Sequence, residues 1–292
     1  MNKNYQQNFR RSVVRGWLTA VLFGLVMSQI SCGKQPVKHI PQEGELVTWY
    51  MTPELVIRTR LGERREHIVG KHDAEFYRPH FERYIGQFPI DYQPERLEKI
   101  SVAELEQWSA DPMSITDAIE FNLMLNGSKF KATDATINDP NGLDHVDQVK
   151  VQVRRRGIGD TWKSAEEVNP RLRTRDAHGY DEAFSRQYGL DCYLFKYEGS
   201  DILNRVCYGH SVNPKITGMR IVFRGRSDDW LDIESHEPIY GGSVVRWRID
   251  RRNLAQWQQI DAAIWRLLDA WNVAPETSSI QTQKPYHPKF SD

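Results

Sequence analysis

The sequence predicts an α+β fold, mainly antiparallel β-sheet packed with a few helices, and three observations carry that expectation. Apolar and polar residues alternate with period two in several separate runs. No long helical pattern stands between consecutive runs, so the crossovers that parallel strands need are not in view. A helical stripe of apolar residues then closes the patterned part of the chain, at residues 254–271. The 292 residues are 39% hydrophobic and 27% charged, enough apolar mass for a core and too much for a disordered chain. Thirty-nine Lys and Arg balance thirty-nine Asp and Glu, which excludes the broad positive field of a general nucleic-acid binder.

Residues 1–16 are polar and basic, 17–27 are almost wholly apolar, and a short segment leads to Cys32. This three-part layout predicts a secretory signal over 1–31. The apolar run is well short of the ~20 residues a membrane-spanning helix needs. Lys3, Arg10, Arg11 and Arg15 lie in the leader and no acid does, so its removal leaves thirty-five bases against thirty-nine acids. Gln29-Ile30-Ser31-Cys32 resembles a lipobox, with Gln29 at the position usually held by leucine. Acylation of Cys32 would anchor the chain, since each buried CH₂ contributes about 0.8 kcal/mol. The alternative is a simple secretory signal followed by an incidental cysteine. Phe9-Arg10-Arg11-Ser12-Val13-Val14-Arg15 resembles a twin-arginine signal, so the general and twin-arginine routes both stay open. Gly33, where an aspartate would retain a lipoprotein at the inner membrane, points to the outer membrane.

Residues 32–44, with Pro36 and Pro41, read as a lipidated tether. An N-terminal α+β subdomain is expected over 45–160. Within it Val102, Leu105 and Trp108 have helical spacing over 101–110. Ile119, Phe121, Leu123 and Leu125 alternate with Glu120, Asn122 and Met124, and Asn126-Gly127 follows as a hairpin-turn signal. Val149, Val151 and Val153 alternate in the same way, which implies a sheet with one buried face. Residues 157–189 read as irregular. Strands resume over 192–197, 203–208, 219–223 and 243–249, forming a C-terminal α+β subdomain over 185–275. Its last helix is expected to start at Asn253 as cap with Gln256 reaching back, and to end before Pro275. Leu254, Trp257, Ile260, Ile264, Leu267, Leu268 and Trp271 form its apolar face, a core stripe rather than a cofactor box. Residues 276–292 read as a flexible tail.

Cys192 and Cys207 flank one hairpin. If its turn centres on Gly199-Ser200, the two cysteines stand directly opposite, within reach of a disulfide in an oxidising compartment. Two buried thiols are the alternative, and no second cysteine pair supports zinc. His67, His72 and His80 stand among acids without a His-Glu-x-x-His pattern, which favours a solvated face over a metal site. Asp139-Pro140-Asn141-Gly142-Leu143-Asp144 lacks the distal glutamate of a calcium loop. Gly209-His210-Ser211-Val212-Asn213 lacks the closing glycine of a nucleophile elbow. No catalytic residues, cofactor or metal are therefore expected. Asp228, Asp229, Trp230, Asp232 and Glu234 place four acids around one tryptophan, an aromatic anchor with charge steering toward a basic partner. The alternative is a strand edge with Trp230 inward and the acids in water.

The stretch YGGSVVRWRIDRRNLAQWQQIDAAIWRLLDAWNVAP, residues 240–275, resembles the C-terminal part of periplasmic lipoprotein immunity proteins of type VI secretion antibacterial effectors of the lipase type. Phe81-Glu82-Arg83-Tyr84-Ile85-Gly86-Gln87-Phe88-Pro89 resembles an N-terminal segment of such proteins. The resemblance implies a periplasm-facing protein, lipid-anchored to the outer membrane, that binds a toxic effector enzyme and neutralises it. The residues agree in their leader, their expected staple and the lack of a catalytic pattern. A periplasmic hydrolase using His210 and Ser211 or the surroundings of His72, and a structural envelope lipoprotein, are the competing readings.

Overall fold

The computed structural model describes residues 39–64, 83–128, 143–155, 177–196, 199, 201–214, 216, 218–223, 230–235 and 240–276. The leader, Cys32, most of the tether, His67, His72, His80, Asp228, Asp229 and all but the first residue of the tail lie outside them. The described elements belong to one compact unit, Ile40–Asp292.

Two strands, β1 (Leu46–Thr52) and β2 (Leu55–Arg60), form an antiparallel hairpin. Neither stands out in the sequence: Val47, Trp49 and Met51 alternate inward along β1, but apolar Leu46 and Tyr50 share its other face, and Leu55, Val56 and Ile57 of β2 are buried in succession. After them come β3 (Tyr84–Pro89), helix α1 (Val102–Ala110), β4 (Ala118–Met124) and β5 (Gln148–Arg155). Ser101 caps α1: its Oγ accepts from the Glu104 N–H at 3.2 Å while the Ser101 N–H donates to Glu104 Oε2 at 2.8 Å. Of the helix's spaced apolar residues only Leu105 is buried, and Val102 is 53% exposed.

The second half contributes β6 (Ala177–Tyr180), α2 (Glu182–Tyr188), β7 (Asp191–Lys196), β8 (Leu203–Gly209), β9 (Met219–Phe223), β10 (Trp230–Ser235), β11 (Ser243–Asp250) and α3 (Trp257–Trp271). Nine strands make one sheet in the order β3-β4-β5-β11-β10-β9-β8-β7-β6. Residues 45–160 and 185–275 share this sheet, since β5 pairs with β11 from Arg155↔Ser243 to Lys150↔Arg248.

The fold is α+β and mainly antiparallel, with one exception: β3 and β4 are parallel, joined by a crossover containing α1. The expectation of no such unit fails here because Gly86 and Pro89 interrupt the pattern of β3. Gly86 has φ +146°, and a Cβ on it would lie 2.6 Å from the Gly62 Cα, so backbone meets backbone at this point. Asn126-Gly127 does turn the chain, with φ +72° at Gly127, but the antiparallel partner of β4 starts only at Gln148, so no two-residue hairpin forms. Residues 182–188 within the supposedly irregular stretch are helical, capped by Asp181 at one end and by left-handed Gly189 at the other. Asn253 caps nothing. Asp250 caps a 3-10 turn over Arg251–Gln256 that leads into α3, and Asn253 instead donates from Nδ2 to the Val146 carbonyl at 2.7 Å.

One face of the sheet is the core. Ile119, Phe121, Leu123, Val149, Val151, Val153, Ile221, Ile233, Trp247 and Ile249 pack there with the apolar faces of α3 and the β1–β2 hairpin. Trp257 begins α3 against α2, its Nε1 donating to the Tyr188 carbonyl at 2.8 Å. Trp271 ends it edge-on to Phe121, with ring centroids 5.1 Å apart. All seven apolar positions expected on this helix are buried. The chain beyond α3 is tied to β2 at Val56, whose N–H donates to Asn272 Oδ1 at 3.2 Å and whose carbonyl accepts from the Val273 N–H at 2.8 Å. The opposite face is not simply open at the β3–β5 end: Asn122, Met124 and Gln148 are buried there too.

Candidate interaction site

Alternation along β10 sends Leu231, Ile233 and Ser235 into the core and leaves Trp230, Asp232 and Glu234 on the opposite face. The strand lies between β11 and β9, not at an edge. Trp230 is half-buried and shares the outward face with the acids, so the alternative of a strand edge with Trp230 inward does not describe its position. Register places Asp232 opposite Arg248 and Glu234 opposite Arg246.

Asp232 is taken up within this face. Its Oδ2 accepts from Arg246 at 2.7 Å and its Oδ1 accepts from Arg248 Nε at 3.0 Å. Arg248 is further fixed by stacking, with its guanidinium carbon 4.0 Å from the Trp230 ring centre. Glu234 lies 3.9 Å from Arg220. Further along the sheet the same face pairs β5 with β4, where Gln152 Nε2 donates to Glu120. The described acids chosen from sequence are thus paired to arginines of neighbouring strands. Those arginines were missed, although Arg246-Trp247-Arg248 already shows two bases on one face of a strand whose other face is apolar.

Cys192 and Cys207 are directly paired residues of β7 and β8 and are joined as a disulfide. The register runs through Tyr193↔Val206 to Lys196↔Leu203, as a turn centred on 199–200 requires. Both cysteines are fully buried.

His210 and Ser211 do not form a nucleophile–base pair. The Ser211 hydroxyl donates to Asp261 Oδ2 at 2.8 Å, and its oxygen accepts from the Asn213 N–H at 3.1 Å. Asp261 also accepts from the Val212 N–H at 2.9 Å and from Trp265 Nε1 at 2.8 Å, so it clasps this loop to α3. Burial pushes the Asp261 carboxyl above the ordinary carboxylate range, outweighing those three donors. His210 lies instead on a half-open cleft of about 380 Å³, with Tyr180, Glu182, Arg186, Asp191 and Tyr208. The one serine in that cleft, Ser185, accepts the Cys192 N–H at 2.9 Å. Among the described residues no group of three or more His, Cys, Asp and Glu is placed to hold a metal ion.

Near the cleft, Asp181 receives Arg205 Nε at 3.0 Å and Nη2 at 2.7 Å, and the same guanidinium lies 3.8 Å from the Phe184 ring centre. Burial would raise the Asp181 carboxyl, but the Phe184 N–H and Arg205 together hold it below its ordinary value.

No protein-family model matches the chain, and no curated protein matches it. Among solved structures it is similar to an immunity protein of the Stenotrophomonas maltophilia type IV secretion system. The two are 9% identical, with 53% of this chain and 82% of that chain covered and a TM-score of 0.31.

Proposed function

We propose that this chain is an envelope lipoprotein, exported under its leader and acylated at Cys32, that binds and neutralises a toxic effector enzyme acting in the periplasm, such as a type VI secreted lipase. The observation that carries the reading is the outward sheet face: a half-buried tryptophan with arginines already braced by carboxylates, on a sheet whose other face holds the core. Such a surface suits occupation of another protein. Interfaces favour Trp and Arg anchors, and ordering them before contact lowers the entropy lost on binding. An oxidising compartment agrees with the Cys192–Cys207 disulfide. A typical inhibitory interface buries about 1,600 Å² in total, an area a nine-stranded sheet can offer.

The test is survival. Deleting the gene is expected to sensitise cells to a type VI secreted lipase delivered to the periplasm by neighbouring cells of the same strain, and re-expression is expected to restore growth. Unchanged survival on deletion would reject neutralisation. Cys32→Ala is expected to abolish labelling by a fatty-acid analogue and to move the protein from the membrane to the soluble fraction.

A further inference from the structure

We propose that the outward face of β5, β11, β10 and β9, centred on Arg246 and Trp230, docks an acidic protein segment, one that presents Asp or Glu side chains. The proposal rests on the binding role given above and supplies the chemistry of the partner.

Among the described residues the formal charge on this face is positive, although the run around Trp230 is acidic in sequence. The register sends five bases outward from these four strands, Lys150, Arg154, Arg220, Arg246 and Arg248, against three acids, Asp232, Glu234 and Asp250. Asp250 is occupied by Arg252, with Nη2 at 2.8 Å. Asp232 is shared by two guanidiniums. The Asp232 side chain is 16% exposed and Arg246 is 37% exposed, so an approaching molecule meets the arginine before the acid. One Arg246 nitrogen is held by Asp232, which restrains the side chain and leaves further N–H donors for a carboxylate. Arg248 is 9% exposed and stays behind as a brace, stacked on Trp230. A carboxylate can therefore engage Arg246 while a neighbouring apolar group covers the indole.

A continuous polyphosphate fits less well. Glu120 and Glu234 stand on the same outward face, and the indole of Trp230 offers an apolar contact that the methylenes of a protein segment can use and a phosphate strand cannot.

The experiment titrates the ¹⁵N-labelled full chain with a hexaglutamate peptide at low salt and follows the Trp230 indole N–H signal, assigned by Trp230→Phe. That signal is expected to shift. Arg246→Glu is expected to weaken hexaglutamate binding by about tenfold, and Arg154→Glu, at an exposed strand end, severalfold with the thermal midpoint unchanged. A response to hexalysine or to oligothymidylate as large as that to hexaglutamate would overturn the proposal. So would binding that neither substitution alters, or sedimentation showing that Arg246 holds two copies of the chain together. Loss of the survival phenotype's dependence on the gene, with hexaglutamate binding intact, would remove the toxin reading while the acidic-segment surface stands.

Discussion

Asp261 concentrates several physical demands in one side chain. It joins Ser211, Val212 and Trp265 but is itself nearly fully buried, and burial raises its carboxyl above the ordinary range. The folded chain then holds a proton that the unfolded chain has already released. Between the unfolded and the raised value, stability must fall as pH rises. Denaturant titrations at stepped pH are expected to show that decline, and Asp261→Asn is expected to flatten it. Asp181 behaves oppositely: its lowered carboxyl stabilises the fold above its unfolded value, and that contribution is lost as pH falls through the lowered one. The two effects separate on the pH axis, since one lies above the ordinary aspartate value and the other below it. Gly86 poses a steric demand instead. Gly86→Ala would put a Cβ 2.6 Å from the Gly62 Cα at a backbone angle that L side chains rarely adopt, with no flexible group able to yield. A loss of at least ~2 kcal/mol is expected in a denaturant melt. None of these three roles is marked in the sequence, where Asp261, Asp181 and Gly86 resemble any other helix or loop residue.

At the scale of elements, α3 is both the clearest feature of the sequence and the centre of the core. Its period survives any packing arrangement because seven apolar side chains at spacings of three and four can share only one face. Trp271→Ala is expected to destabilise the protein by about 3–5 kcal/mol, through lost contacts with Phe121 and Phe88 and the void left behind. The β7–β8 hairpin was equally legible, because a turn position fixes the pairing of every residue on both sides of it. The cysteines are 15 residues apart, so closing that loop contributes about 3 kcal/mol through the unfolded chain. Replacing both by alanine is expected to lower the melting midpoint by that equivalent, and reducing agent is expected to act on the original protein but not on the variant. Where pattern reading failed, the strands were of another kind. β2 and β3 are buried on both faces over most of their length, where period two is lost, and β1, although its burial alternates, carries apolar Leu46 and Tyr50 on its more open face.

For the whole molecule, the decisive fact is that β11, from near the end of the chain, enters the sheet between β5 and β10. That placement sets Arg246 and Arg248 against Asp232, so that among the described residues of this face bases outnumber acids. It also predicts a salt response: hexaglutamate binding is expected to weaken steeply between low and physiological ionic strength, because the donors that remain are exposed. The sequence by itself determined the α+β class, most strands of the second half, the terminal helix and the pairing of Cys192 with Cys207. Each of these depends on local periodicity or on a turn that sets its own register. Tertiary structure alone decided the parallel β3–β4 pair, the placing of Asp261 beneath the Ser211 loop and the pairing of Asp232 with Arg246 and Arg248. These depend on which distant strands become neighbours, and a charge has no fixed meaning until its neighbours across the sheet are known.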